Sequence, residues 1–508
     1  MAEDQTLREL LAHQAEHYVD KTFLYWKEDE VSYADFNARV NQVANMLQSA
    51  GVAHGEKVAL LLPNCPEFLY TFFACTKLGA IAVPINPKLK GDEIQYILEN
   101  SESAALIATN EFVLMLATCA IQCPGLRVTW YVGEGDGSPN FAEYWQQPTS
   151  TPEANVTRDD ILSIIYTSGT TGRPKGVLLS HSNYVYDAEA YAQACQVTEG
   201  DRQMCILPLF HVNAQVASVL AALLRGGSLI LMEGFSPREF LPALARYHAT
   251  SFSGVPTVYS ILNNLPDADQ YDLSSLRVCI CGAAPMPVEV FNEFERKYKA
   301  FILEGYGLSE GTCVSTLNPL DGRPRKIGSI GLPLAGQEVR IFDDYEQQLP
   351  IGQVGEIVVR GPNVMQGYFH NEEATQDTLK NGWLHTGDLG SIDEDGYFYI
   401  VGRKKEMIIR GGENIYPKEI EEVLYRHPAV QEAAVVGLPH PIWGEEVAAF
   451  LVLRENLSFP PEEVIAYCKV HLADYKCPRV VHYVKDFAKT ATGKIQKNKI
   501  VEAAVNKK

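Results

Sequence analysis

The sequence predicts an α/β protein of two unequal parts: a large portion built on a mostly parallel sheet, and a compact α+β portion behind it. Three observations predict this. Short apolar runs bounded by turn residues alternate with helical periodicity along most of the chain. A charged and then glycine-rich break at 402–412 separates that alternation from a tail with its own helix and strand signals. The length of 508 residues and 46% hydrophobic content suit several packed units and exclude a disordered chain.

Taken in order, Val40, Val43, Ala44 and Leu47 recur at helical spacing, and Gly51 stands where that helix would stop. The apolar runs 58–62, 81–83, 161–166, 228–232 and 278–280 read as strands. Strands separated by helices imply a parallel sheet covered on both faces. Residues 133–160 are rich in Gly, Pro, Ser, Thr and acids, and predict a long surface connection. The most membrane-like run, 216–232, is interrupted by Arg225, Gly226 and Gly227, so it reads as core. Beyond Gly412 the pattern predicts a helix over 417–425, strands near 433–437 and 447–453, a helix over 461–472 and a strand over 479–484.

Composition narrows the function. Lys plus Arg is 43 against 63 for Asp plus Glu, a net charge of −20, so no bulk basic footprint for nucleic acid exists. The acidic start (Glu3, Asp4, Arg8, Glu9) lacks a secretory pattern, and Asn506-Lys507-Lys508 is no peroxisomal address. The cysteines number 11 and form no paired C-x-x-C set, which argues against a disulfide framework or structural zinc. A reducing, cytoplasmic setting is expected.

The strongest local signal is Tyr166-Thr-Ser-Gly-Thr-Thr-Gly-Arg-Pro-Lys175-Gly176. An apolar strand opens into a loop of glycines, hydroxyls and one lysine. Glycines let the backbone turn its N–H groups inward, the hydroxyls add donors, and Lys175 adds a point charge: a phosphate cradle. It is no Walker loop, since Gly176 follows the lysine and Pro174 precedes it. Four further segments follow in order: Tyr306-Gly-Leu-Ser-Glu310-Gly, Thr386-Gly-Asp388, Gly402-Arg403-Lys-Lys405-Glu-Met-Ile-Ile, and Thr492-Gly-Lys494-Ile.

With these five motifs the chain resembles, over nearly its whole length, the adenylate-forming superfamily of acyl-CoA synthetases, aryl-CoA ligases, luciferases and amino-acid adenylation domains. The resemblance implies an N-terminal AMP-binding domain, 1–404, of two α/β subdomains plus a β-barrel-like portion. It also implies a small mobile C-terminal domain, 405–508, hinged at Lys405. It assigns the phosphates to Thr167, Ser168, Gly169, Thr170, Thr171, Gly172 and Lys175. Around the rest of the nucleotide it places Gly282, Ala283, Glu304, Gly305, Tyr306, Gly307 and Ile400, with Tyr306 flanking the adenine. Asp388 would accept from the ribose hydroxyls and Arg403 would contact ribose or phosphate. Glu310, with Thr167, would hold Mg²⁺, a cation that favours hard oxygen ligands. Lys494 would serve adenylation as a catalytic residue, and His211 would stand between nucleotide and acyl group.

The implied function is ATP-dependent carboxylate–CoA ligation through an acyl-adenylate, with Mg²⁺ as cofactor and ATP and CoA as co-substrates. Alternatives are an aryl-CoA ligase, an enzyme passing its acyl group to a carrier protein, and an inactive nucleotide-binding sensor. A sensor would be expected to lack Lys494 or Glu310, and a carrier-linked enzyme to show a carrier segment after Lys508; neither expectation matches this sequence. No acid follows His211 at Val212 or Asn213, which disfavours an amino-acid substrate. The segments expected to wall the acyl pocket, which include Val212, Asn213, Val255, Cys281, Gly282 and Gly311, contain no charged residue. An unpaired buried charge is costly, so the acid's tail is expected to be uncharged: medium-chain fatty first, aryl second. Gly411, Gly412 and Trp443 are the candidate CoA contacts. A monomer or homodimer without a transmembrane segment is expected.

Overall fold

A computed structural model describes residues 5–119, 123, 125–167, 173–266, 268–284, 286–454, 457–489 and 495–505. Its first sheet has seven strands in the order Gly367–Tyr368, Lys175–Ser180, Ile161–Thr167, Ile81–Pro84, Lys57–Leu61, Ser103–Thr109 and Val128–Val132. The five from Ile161–Thr167 onward are parallel; the first two add antiparallel at the edge. The second sheet has nine strands. Six run parallel, in the order Phe301–Tyr306, Val278–Cys281, Ser251–Gly254, Arg202–Cys205, Ser228–Leu231, Thr22–Trp26, with antiparallel strands at both ends.

Helices fill the space these sheets share. In Tyr33–Ser49 the Ser32 hydroxyl accepts the Asp35 N–H and starts the helix, and Phe36, Val40, Val43, Ala44 and Leu47 are buried on one face. Gly51 follows at φ +81°. Helix Pro66–Leu78 is buried on every side except at Glu67, as its continuous apolar sequence requires. Both helices join one core with the inner strands of the two sheets.

An antiparallel five-stranded sheet (Glu338–Phe342, Gly355–Arg360, Leu379–Lys380, Trp383–Ile392, Phe398–Arg403) stands where the barrel-like portion was expected. The last sheet comprises Glu413–Ile415, Ile408–Arg410, Gly444–Leu453, Val430–His440 and Val480–Tyr483. Alternation divides its faces. Val435, Val447 and Leu451 meet helices Pro417–Tyr425 and Pro461–His471. Ala434, Val436 and Phe450 meet helix Lys497–Val505.

One expectation is corrected. Residues 133–160 are more than a surface connection: a 3₁₀ segment, Phe141–Gln146, buries Phe141 and Tyr144 against helix Tyr33–Ser49. The Arg39 guanidinium lies between the rings of Tyr70 and Trp145, at 5.8 and 5.2 Å. Averaged composition hid three aromatics that carry their own packing. The run 216–232 is core, divided between a π-helical turn (Ala214–Leu220), a short helix ended by Gly226, and a strand. Among the described residues no helix is long and apolar enough to cross a membrane. Cys65, Cys75, Cys123, Cys195, Cys205, Cys279, Cys281, Cys313, Cys468 and Cys477 are free thiols, all buried.

Candidate active site

Parallel sheets bind ligands beyond the carboxyl ends of their strands. In the nine-stranded sheet Met204 pairs with Phe252, Gly254 with Cys281, and Cys281 with Glu304. The segments that leave these strands therefore lie side by side. They carry His211, Val212 and Asn213; Val255; Gly282 and Ala283; and Gly305, Tyr306 and Gly307. Sequence positions a hundred residues apart become one edge.

The loop before His211 is held tightly. Asn64 Oδ1 accepts the Leu209 N–H at 2.8 Å, while its Nδ2 donates to the Leu207 and Met232 carbonyls, both at 3.0 Å. Gln215 Nε2 donates to the Leu209 carbonyl at 2.7 Å and Gln215 Oε1 accepts the Tyr184 hydroxyl at 2.6 Å. The His211 ring packs on Phe210 with centroids 4.5 Å apart. Val212 is buried. Val255 caps helix Pro256–Asn263, and Ala283 adopts φ +69° just past its strand.

Tyr306, Asp388 and Arg403 come together. The Tyr306 hydroxyl donates to Asp388 Oδ2 at 2.7 Å, and Arg403 Nε lies 3.0 Å from Asp388 Oδ1. Asp388 and Arg403 face each other across the antiparallel pair Trp383–Ile392 and Phe398–Arg403. Burial, reinforced by the charge of Asp388, holds the Tyr306 phenol well above its ordinary range, so it stays a donor. Ile400 packs in the same apolar cluster as Tyr306. Glu304 is turned elsewhere: its Oε2 accepts the Gly328 N–H at 2.8 Å, and burial pushes it up to about 7 despite that donor and Lys418.

A second cluster joins the two large sheets. Thr167 and Lys175 are register partners at the mouth of the phosphate loop. The Lys175 ammonium sits 5.0 Å from the centre of the Tyr368 ring. The Tyr368 hydroxyl donates to Glu310 Oε1 at 2.9 Å, and the Met365 N–H donates to the Glu310 carbonyl at 2.9 Å. The loop lysine and the candidate metal acid thus share one tyrosine. Sequence reasoning missed Tyr368, an aromatic residue in a two-residue edge strand with no motif around it.

These groups fit Mg²⁺. Glu310 is a lone, half-buried carboxylate with oxygen neighbours, and no group of three or more His, Cys, Asp or Glu assembles as a cage among the described residues. That donor set suits a hard cation that completes its shell with phosphate and water.

In the small portion Gly411 and Gly412 form a two-residue hairpin turn, at φ +61° and +90°, between Arg410 and Glu413. The turn itself requires these glycines. Gly411 N–H donates to the Trp443 carbonyl at 2.9 Å, and the Arg410 guanidinium covers the Trp443 ring at 4.8 Å. The three candidate CoA contacts are thereby one cluster, with Trp443 43% exposed. Lys405 lies exposed in the 3₁₀ turn Lys404–Glu406. Ser168, Gly169, Thr170, Thr171, Gly172 and Lys494 lie outside the described residues. Gly311 is buried against Asn363 and Ser315.

Comparison with known proteins identifies the family. Residues 11–369 match the family model of the AMP-binding enzyme, and 419–494 that of the AMP-binding enzyme C-terminal domain. The chain is 38% identical to a feruloyl-CoA synthase of Amycolatopsis sp, covering 92% of this chain and 93% of that one. It is 35% identical to a long-chain-fatty-acid–CoA ligase of Bacillus subtilis (strain 168), covering 98% and 94%. The crystal structure of the anthranilate CoA ligase AuaEII in complex with anthranoyl-AMP superposes with a TM-score of 0.92 at 32% identity, over 99% of this chain and 98% of that one. By sequence and fold together, the chain belongs to the AMP-binding enzyme family of adenylate-forming ligases, among its acyl-CoA synthetases.

Proposed function

We propose that this AMP-forming acid–thiol ligase joins an acid with an uncharged tail to coenzyme A in two half-reactions. A carboxylate oxygen attacks the α-phosphorus of ATP, expelling pyrophosphate and leaving an acyl-adenylate. The CoA thiolate then attacks the acyl carbon and expels AMP. The observation that carries this reading is the junction of Lys175, Tyr368 and Glu310 beside the Tyr306–Asp388–Arg403 cluster. It offers positive charge and a carboxylate for phosphates at one place, and a buried acceptor for a ribose at another.

Lys175, with the hydroxyls and backbone of the loop it ends, cradles the phosphates. Asp388 accepts the ribose hydroxyls and is itself oriented by Tyr306 and Arg403. Glu310 with Thr167 would hold Mg²⁺, which would neutralise charge on the phosphates. Lys494 bridges the attacking carboxylate and the α-phosphate. His211 borders the acyl group. For the second step the small domain turns about Lys405, and the Gly411, Gly412 and Trp443 cluster receives CoA. The setting proposed is cytoplasmic, as a monomer or homodimer.

The acyl walls support an uncharged tail, with medium-chain fatty acids as the leading class. Asn213 favours a second reading: its Oδ1 is buried with no hydrogen-bond partner among the described residues, which an aryl acid bearing a hydroxyl or amine would satisfy. A panel of acids tests both readings, with pyrophosphate release measured without CoA and AMP formation with it. Acid-dependent pyrophosphate release is expected, with AMP turnover accelerated by CoA. Nucleotide binding with no pyrophosphate release for any acid would leave a nucleotide-binding sensor, and AMP turnover indifferent to CoA would point to a carrier acceptor. Preference for dicarboxylates would refute the uncharged tail.

A further inference from the structure

The chain reverses at Thr312 in a conformation that β-branched residues rarely adopt. Its φ and ψ are 64° and −64°, and the Cys313 N–H closes the γ-turn onto the Gly311 carbonyl at 2.8 Å. Glu102, His248 and Lys299 also have positive φ, but they end α-helices in the ordinary left-handed region, with ψ of 44°, 50° and 23°. Thr312 belongs to the strained kind, which persists only where its surroundings over-determine it.

Here they do. The fully buried Thr312 hydroxyl donates to the Asn363 carbonyl at 2.6 Å, and Asn363 Nδ2 donates back to the Gly311 carbonyl at 3.1 Å. The Val314 N–H donates to Asp187 Oδ2 at 3.0 Å. Gln337 Nε2 spans Asp187 Oδ1 and the Val314 carbonyl at 3.1 and 3.0 Å. The Ser315 N–H donates to the Tyr306 carbonyl at 2.8 Å. Asp187, Asn363 and Gln337 come from distant parts of the chain, and all are buried. A carboxyl is costly to bury, and Asp187 is spent on this turn.

What the turn delivers is position. Glu310 lies two residues earlier, in the 3₁₀ turn Ser309–Gly311 that runs directly into Thr312. From the same segment as Asn363, the Met365 N–H meets the Glu310 carbonyl and the Tyr368 hydroxyl meets the Glu310 carboxylate. Relaxing Thr312 to ordinary φ would redirect Gly311 and swing Glu310 away from Tyr368. We propose that Thr312, clamped by Asn363 and flanked by Val314 on Asp187, is a positioning residue whose strained turn holds the Glu310 carboxylate where it would meet Mg²⁺. This rests on the reading of Glu310 as the metal acid.

The test is Mn²⁺ binding to the full chain with a non-hydrolysable ATP analogue, followed by electron paramagnetic resonance. Thr312→Gly removes the hydroxyl that clamps the turn and leaves a backbone free to depart from φ +64°. It should weaken Mn²⁺ by about 10–100-fold, the usual effect of losing a group that orients a metal ligand, while relief of the strained φ offsets the lost hydrogen bond in melting temperature. Thr312→Ser keeps the hydroxyl and should recover most of the affinity. Asn363→Ala should weaken Mn²⁺ as well, and it carries the test if Thr312→Gly does not fold. If folded Thr312→Gly or Asn363→Ala binds Mn²⁺ as the wild type does while Glu310→Gln does not, the proposal is overturned alone. If Glu310→Gln also binds Mn²⁺ normally, the metal reading falls and the proposal with it.

Discussion

Glu304 lies within the strand Phe301–Tyr306, with a carboxyl that accepts the Gly328 N–H in a residue only 8% exposed. Burial raises it from 4.5 to about 7, with the Gly328 N–H and then the Lys418 ammonium opposing. The sign follows from which state keeps the proton. Between pH 4.5 and 7 the unfolded chain has lost it while the folded chain retains it, so folding is favoured less as pH rises. The contribution is fully present below the unfolded value and lost once pH passes the folded one. For one group the slope is at most about 1.4 kcal/mol per pH unit. Glu304→Gln keeps the shape and the acceptor for Gly328 but cannot titrate. Urea midpoints from pH 5 to 8 should therefore fall in the wild type relative to Glu304→Gln, and level off near neutrality. Parallel curves for the two proteins would show that Glu304 does not hold its proton into this range.

The loop between Tyr306 and Thr316 depends on one close approach of backbone to backbone. A Cβ at Gly307 would collide with the Cys313 carbonyl, because the γ-turn at Thr312 folds Cys313 back onto it. Gly382 is a different case: its φ is +79° but the space around it is open. Gly382→Ala should cost about 1 kcal/mol, the ordinary penalty of left-handed backbone. Gly307→Ala should cost about 3 kcal/mol or more, since neither carbonyl nor strand can yield. Equal melting temperatures for the two variants would refute the close approach. This loop also shows where sequence reading stops. Glu310 and Tyr306 were legible because their chemistry sits in a local run, as it does for Lys175, Asp388 and Arg403. Tyr368, Asn363 and Asp187 act on residues 58, 51 and 127 positions away. Locally they are an aromatic in a two-residue edge strand, an amide in a loop and an acid in a helix, and only tertiary packing gives them work. The strand runs were legible for the same local reason: 58–62, 161–166 and 278–280 each differ by no more than one residue at an end from the strands that form.

At the scale of the whole molecule the proposed rotation about Lys405 would divide contacts that travel together from contacts that break. Lys497 reaches Glu406 at 3.0 Å and Glu421 at 2.8 Å, and all three lie on the C-terminal side of Lys405. Lys418 instead donates to the Ile400 carbonyl at 2.6 Å, across the linker. If the small domain turns about Lys405, the first set moves as one body while the Lys418 contact is lost. Lys405 is exposed within a short 3₁₀ turn, where a change of backbone dihedral disturbs little packing. Lys405→Pro fixes φ at that residue and biases Lys404 toward extended backbone. It should therefore trap one arrangement of the two portions without unfolding either. Pyrophosphate release in the first half-reaction is expected to survive better than conversion of supplied acyl-adenylate to thioester in the second. Single-turnover rates of the two steps on one preparation decide it, with circular dichroism confirming the fold. Equal loss of both steps would mean local damage rather than a blocked rotation, and Lys405 would then be no hinge.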